Sequence, residues 1–186
     1  MGNIWLTSDL HFGHDRQFIY KPRGFKNIME MNAAILVNHN KIVQPDDDVY
    51  ILGDLMLGDN EIGLAFIEQL KGKLHIVYGN HDTDVRKELY KLLPNVVECN
   101  YALPIKYRKY NFYCSHFPTL TGNLEVESLH QCILNLFGHT HSKEHFYNDI
   151  PYMYNVAVDA HDCTPVNLDD IIEEMHEKVI ECKYFL

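Results

Sequence analysis

Five short apolar runs in this chain each end in residues able to bind a metal ion. Ile4-Trp5-Leu6 leads into Asp9-Leu10-His11, Val49 to Leu52 into Gly53-Asp54, and Leu74 to Tyr78 into Gly79-Asn80-His81-Asp82. Phe112 to Cys114 leads into Ser115-His116, and Ile133 to Phe137 into Gly138-His139-Thr140-His141. Short apolar runs of this kind read as buried strands. In an open α/β sheet, ligands gather beyond the carboxyl ends of the strands. Neighbouring parallel strands would bring all five ends to one edge. Asp9/His11 and His139/His141 share an i, i+2 spacing, which in extended backbone projects both side chains to the same side. Gly53, Gly79 and Gly138 stand where a tight turn or a close backbone approach is needed.

Helical patterns separate the strands. Ile28 to Val43 places Ile28, Met31, Ile35 and Ile42 near one face and stops before Pro45. Asn60 is read as the N-cap of a helix with Ile62, Ala65, Phe66 and Leu70 on one side, and Gly72 lies just past its end. A further helix is expected from Asp84 to Leu92, stopped by Pro94. A hairpin is predicted from Ile105 to Cys114, turning through Lys109-Tyr110-Asn111, with extended pieces near 145–147 and 152–158. Asn167 caps a last helix carrying Leu168, Ile171, Ile172 and Met175, and Val179 to Phe185 reads as a closing strand. No repeat, linker or low-complexity tract divides the chain, so residues 1–186 are expected to form a single α/β domain with a mixed sheet or two packed sheets.

Composition narrows the function. With 186 residues and 46% hydrophobic residues the chain can bury a sizeable core. Its 26 acidic residues against 16 Lys plus Arg give a net charge of −10, which argues against indiscriminate binding to a polyanion. The beginning of the chain has no signal-peptide pattern and no apolar run reaches membrane-spanning length. The five cysteines are dispersed without a CxxC pair, so reduced thiols and a cytoplasmic setting are expected.

Asp9, His11, Asp54, Asn80, His116, His139 and His141 offer oxygen and imidazole ligands without thiolate. Seven such donors suit two ions better than one, and Asp54, on a strand expected to be central, can bridge them. Mixed N/O ligation favours Mn, Fe, Ni, Co or Zn over Mg or Ca. A pair of such ions is matched to displacement at phosphorus.

The ordered series Asp9-x-His11, Gly53-Asp54, Gly79-Asn80-His81-Asp82, His116 and Gly138-His139-x-His141 resembles the calcineurin-like metallophosphoesterase superfamily. The opening from Ser8 to His14 and the late Asn155-x-x-Val158-Asp159 and Pro165-Val166-Asn167-Leu168 look like its compact, single-domain bacterial and phage members. The resemblance implies a four-layered α/β/β/α sandwich with two packed mixed sheets and a binuclear centre. It implies one ion on Asp9, His11 and His141, another on Asn80, His116 and His139, and Asp54 between them. His81 would be the catalytic histidine that is not a ligand. Asp82 would cap the following helix or orient that imidazole.

The implied activity is phosphate-ester hydrolysis by a hydroxide shared between two divalent ions, manganese first among them. Diesters, including a nucleotide or nucleic-acid end, are favoured over small phosphomonoesters. The reason is that Leu55-Met56-Leu57-Gly58-Asp59 lacks the arginine that the protein phosphatase branch carries after its Gly-Asp. A non-catalytic interaction module on the same fold is the rival of another class, disfavoured by the intact ligand set. His14 is weighed as a phosphate contact against a surface role. Lys21, Arg23 and Lys26 are read as a solvated loop before a phosphate-binding one. Lys106, Arg108 and Lys109 with Tyr107 and Tyr110 are read as an ordinary hairpin tip rather than a single-strand platform. His39, His75, His130, His145, His161 and His176 are expected to be structural or solvated.

Overall fold

The computed structural model describes residues 2–122 and 128–184. Two sheets face each other, and helices pack against them. The first sheet contains β1 (Ile4–Thr7), β2 (Asp48–Leu52), β3 (Lys73–Val77), β4 (Val96–Asn100) and β9 (Val166–Asn167), in the order β4-β3-β2-β1-β9. β1 to β4 run parallel, and β9 is antiparallel to β1. The second sheet has the order β5 (Ala102–Tyr107), β6 (Tyr110–Ser115), β7 (Ile133–Phe137), β8 (Met153–Asn155). There β5 and β6 form an antiparallel hairpin, while β6, β7 and β8 run parallel. Both sheets are mixed, and the expected α/β sandwich is the architecture the chain adopts.

α1 (Gln17–Tyr20), α2 (Ile28–Ile42), α3 (Asn60–Ile67) and α4 (Asp84–Tyr90) accompany the first sheet. Met31 and Ile35 of α2 and Ile67 of α3 join Val49, Ile51, Leu74 and Ile76 in one core. The opposite faces of the same strands supply Leu6, Leu52 and Val77 to a second core with Phe112, Cys114, Leu134 and Leu136. α5 (Leu168–Tyr184) packs Leu168, Ile171, Ile172 and Met175 into that second core. Each such side chain, removed from water, contributes about 1.5–3 kcal/mol. Among the described residues no helix is long and apolar enough to cross a membrane, and all five cysteines are free.

Local chemistry sets the helix starts. Asn27 caps α2 by accepting the Glu30 N–H at 2.9 Å, and Thr83 caps α4 through the Arg86 N–H. α3 is capped by Asp59, one residue before the predicted Asn60, through bonds from Glu61 and Ile62. Of its predicted face, Leu70 is buried and Phe66 half-buried, whereas Ile62 and Ala65 are exposed and Gly63 and Ile67 turn inward instead. Val179 to Phe185 is not a strand. The α5 stripe continues from Met175 to a half-buried Val179, so helical packing overrides the local β-branched composition; Phe185 lies outside the described residues. The hairpin turns through Arg108-Lys109, both at positive φ, and Tyr110 already belongs to β6. Of the two extended pieces, 152–158 contains β8, whereas 145–147 adds only a bridge from Phe146 to Tyr154. β4 was not foreseen; it extends the parallel register beyond β3.

Candidate metal centre

The parallel strands of both sheets end at one edge, and all seven expected ligands lie there. Asp9 and His11 follow β1, Asp54 follows β2, and Asn80 follows β3. His116 follows β6, and His139 and His141 follow β7. The i, i+2 pairs do not converge through extended backbone, as the spacing suggested. Asp9, His11, Asp54, His139 and His141 all have left-handed backbone, with φ of 59°, 51°, 53°, 67° and 49°. Each chain segment turns sharply over the sheet edge and is held there by ladders such as Asp9 N–H to Gly53 O and His11 N–H to Asp54 O, both 3.0 Å. Two glycines are required by close approach. A Cβ at Gly79 would overlap the Asp54 carboxylate, and one at Gly138 would overlap Ser8 and Asp9.

The donor atoms form two sets. In the first, Asp9 Oδ1 lies 3.9 Å from His11 Nε2 and 3.8 Å from His141 Nε2, and the two imidazole nitrogens are 3.3 Å apart. In the second, His116 Nε2, His139 Nδ1 and Asn80 Oδ1 are 2.8–3.2 Å from one another. Asp54 Oδ2 lies between the sets, 4.0 Å from His11 Nε2 and 3.5 Å from His116 Nε2. Its Oδ1 accepts the His81 N–H at 2.9 Å. Among the described residues, the acidic and imidazole groups that could share an ion are Asp9, His11 and His141, and Asp9, Asp54 and His116, so Asp9 reaches both sets. Its second oxygen is already engaged by Ser8 Oγ and the His139 N–H, at 2.6 and 2.8 Å.

These groups fit divalent cations. Asp9 is fully buried, and its Oδ1 has no hydrogen-bond partner. An ionised oxygen in that position needs positive charge beside it. The histidine tautomers point the same way. His116 Nδ1 lies 2.8 Å from Leu52 O, and His141 Nδ1 lies 2.8 Å from Asp159 Oδ2. A proton on each Nδ1 leaves the Nε2 lone pairs facing the centre. Burial, followed by the charges of Arg23 and His141, holds His11 well below the usual histidine range, so it is neutral and ready to ligate. Burial likewise lowers His139 and raises Asp54.

The surrounding shell contains residues to which the sequence reading gave another role or none. Arg23 is not a solvated residue: its side chain is 2% exposed. Its Nε and Nη2 grip Asp159 at 2.9 and 2.7 Å, and Nη2 also donates to the backbone carbonyl of Asp9 at 2.9 Å. Asp159, in turn, holds His141. Burial opposes its ionisation, but bonds from His141 and Arg23 outweigh that and keep its carboxyl far below the ordinary range. Asp82 neither caps α4 nor approaches the His81 imidazole. It accepts the N–H groups of Gly79 (2.7 Å) and Asp54 (3.0 Å) and the Tyr90 hydroxyl (2.6 Å), clamping two ligand-bearing loops together.

His81 is exposed at the rim, its ring centroid 5.8 Å from that of His11, and its carbonyl accepts Arg86 Nη1 at 2.7 Å. His14 stands 5.5 Å from His11, ring to ring. Burial first, then His81 and Arg16, lowers its pKa. Of the remaining histidines, His39 donates to Lys71 O, His75 sits between Asp48 and Glu98 and His145 meets Glu174, while His130 and His176 are exposed. At the hairpin tip, Tyr107 and Arg108 are tied to Asp169 of α5.

The fold and the edge cluster together define a two-sheet α/β protein with a prospective metal centre at the carboxyl ends of its parallel strands. No family model matches the chain. It is 32% identical over 179 residues to the uncharacterized protein MJ1445 of Methanocaldococcus jannaschii, covering 93% of this chain and 91% of that one, and it belongs to the same family. It is also 27% identical over 202 residues to the gene 66 protein of Mycobacterium phage D29, covering 95% and 98% of the two chains. Among solved structures, a protein of unknown function, AQ665 from Aquifex aeolicus, shares the fold with a TM-score of 0.69 at 24% identity, over 93% of this chain and 99% of that one. A looser likeness, with a TM-score of 0.46 at 18% identity over 82% of each chain, is to a protein described as a novel archaeal phosphodiesterase.

Proposed function

We propose that the chain is a binuclear metal-dependent phosphoesterase of the calcineurin-like superfamily. The supporting observation is the convergence at one edge of seven oxygen and imidazole donors from both sheets, in two sets with Asp54 between them and an Asp9 oxygen buried and unpartnered in the first. Asp9, His11 and His141 would hold one ion and Asn80, His116 and His139 the other, with Asp54 shared. When bound, the ions supply Lewis acidity toward phosphoryl oxygens and a water of lowered pKa. Manganese is the first ion to test, with iron, zinc, nickel and cobalt as alternatives.

The chain's own residues do the rest. His81 presents an imidazole nitrogen at the rim, where it can protonate the departing ester oxygen. Its backbone is fixed on both sides, by Asp54 at the N–H and Arg86 at the carbonyl. Asp159 and Asp82 keep His141 and Asp54 in place. Phosphodiesters, including nucleotide or nucleic-acid ends, are the favoured substrates, since the segment after Asp54 carries no arginine to hold a monoester dianion.

The test is hydrolysis of bis-p-nitrophenyl phosphate and p-nitrophenyl phosphate by protein loaded with manganese, nickel or cobalt. Turnover is expected, faster on the diester; silence on both substrates with all three metals overturns the reading. Asp54→Asn should lower metal content and kcat together. His81→Ala should lower kcat by about 10²–10⁴-fold with the metal content kept, and metal loss in that variant would make His81 a ligand.

A further inference from the structure

The chain has four arginines among its 26 acidic residues. Two are paired: Arg23 with Asp159 at 2.7 Å and Arg108 with Asp169 at 2.9 Å. Arg16 and Arg86 have no carboxylate within 4.0 Å among the described residues. Both line one cleft of about 550 Å³. Arg86 is only 9% exposed. Its Nε donates to Asn60 Oδ1 at 2.9 Å and its Nη1 to His81 O at 2.7 Å. Both acceptors are neutral, so neither hydrogen bond brings a counter-charge. A buried guanidinium without a counter-charge is unfavourable, and in a chain this acidic a carboxylate partner would be easy to place.

The cleft adjoins the centre through His14, whose ring lies 5.5 Å from that of His11 and whose Nδ1 is buried without a partner. Asp15 and Asp59 also line it. Asp59 is spent on the cap of α3, where its Oδ1 accepts the N–H groups of Glu61 and Ile62. Two unpaired guanidinium groups and an imidazole beside a phosphoryl site are the donors a second phosphate requires, because the guanidinium fork matches phosphate oxygens in pairs.

We infer that this cleft binds a second phosphate group of the substrate, held by Arg16, Arg86 and His14 while the ester to be cleaved lies at the metal centre. The inference rests on the phosphoesterase reading and narrows it to substrates carrying two phosphates. A diphosphate-linked nucleotide and a 5′-phosphorylated nucleic-acid end share that chemistry. Because Arg86 also holds the His81 carbonyl, occupancy of the cleft and placement of His81 are mechanically linked.

Two measurements test it. Protein stripped with EDTA is titrated with inorganic phosphate by isothermal calorimetry. Saturable binding at one site is expected, weakened at least tenfold in Arg16→Gln and in Arg86→Lys, with thermal melts confirming that both variants fold. On metal-loaded protein, KM is then compared for bis-p-nitrophenyl phosphate, ADP-ribose and a 5′-phosphorylated dinucleotide. Arg16→Gln should raise KM for at least one of the latter two by ten times more than for the first, and which one responds identifies the source of the second phosphate. Phosphate binding that both variants retain, no binding, or equal KM changes on all substrates overturns the inference. If no ester is hydrolysed at all, the phosphoesterase reading fails, while the phosphate titration still decides whether the cleft is an anion site.

Discussion

His141 shows how much of the centre depends on residues that never face it. Asp159 sets which of its nitrogens carries a proton, and Arg23 holds Asp159 in register with the Asp9 backbone. Partners of this kind typically change metal affinity by about 10–100-fold when lost. Asp159→Asn, which keeps a hydrogen-bond acceptor but loses the charge, is therefore expected to raise the metal dissociation constant by about that factor in calorimetric titration. Unchanged affinity would mean that the carboxylate serves only to neutralise Arg23. The proposed ligands were legible in the sequence because each follows its strand within a few residues, so local order carried them to one edge. Arg23 and Asp159 were not, since 136 positions separate them and no spacing links them. Asp82 could have been found only through the backbone N–H groups it satisfies.

α2 carries a histidine whose burial has a measurable signature. His39 is 1% exposed and donates to Lys71 O, and burial pushes its pKa down to about 4. In the unfolded chain the same group titrates near 6.5. Above pH 6.5 neither state is protonated, and the full stability is present. Between about pH 6.5 and 4 the unfolded chain binds the proton first, so stability falls as the pH falls, by roughly 3 kcal/mol across the window. Urea midpoints from pH 4 to 7 should show His39→Gln losing less stability on the acid side than the parent; parallel curves would contradict a neutral, buried His39. The longer helices were readable from periodicity, whereas the four-residue α1 was not foreseen. What misled was the end of α5, where β-branched residues suggested a strand although tertiary packing continued the stripe, and the start of α3, where two adjacent residues could both cap.

The two sheets meet at the centre, and neither could assemble it alone. Asp9, Asp54 and Asn80 come from the first sheet, and His116, His139 and His141 from the second. Ions that bind only the folded chain stabilise it by mass action, about 2.7 kcal/mol at a hundredfold excess over the dissociation constant. For a chain of this length that corresponds to a rise of about 5–10 °C in Tm. Calorimetric scans of EDTA-treated protein with and without manganese should show this rise, and Asp54→Asn should abolish it; equal Tm values would count against a site spanning both sheets. The α/β layering was legible from the alternation of runs and helices, and the sandwich only from the family resemblance, whereas the strand order, and β4 at the sheet edge, depend on pairings that no local pattern encodes.

The left-handed backbone at five ligand positions has a consequence for how such a chain can drift. Left-handed geometry disfavours a side-chain-bearing residue by about 1–2 kcal/mol and suits glycine. At His11, His139 and His141, then, backbone geometry and the proposed chemistry favour different residues. His139→Gly should melt, without metal, at or above the temperature of its parent, and below it when manganese is present. If the phosphoesterase reading holds, a copy released from selection would be expected to lose the left-handed histidines before its sandwich, whereas Asp9 and Asp54, which also hold the His139 and His81 N–H groups, would be kept longer.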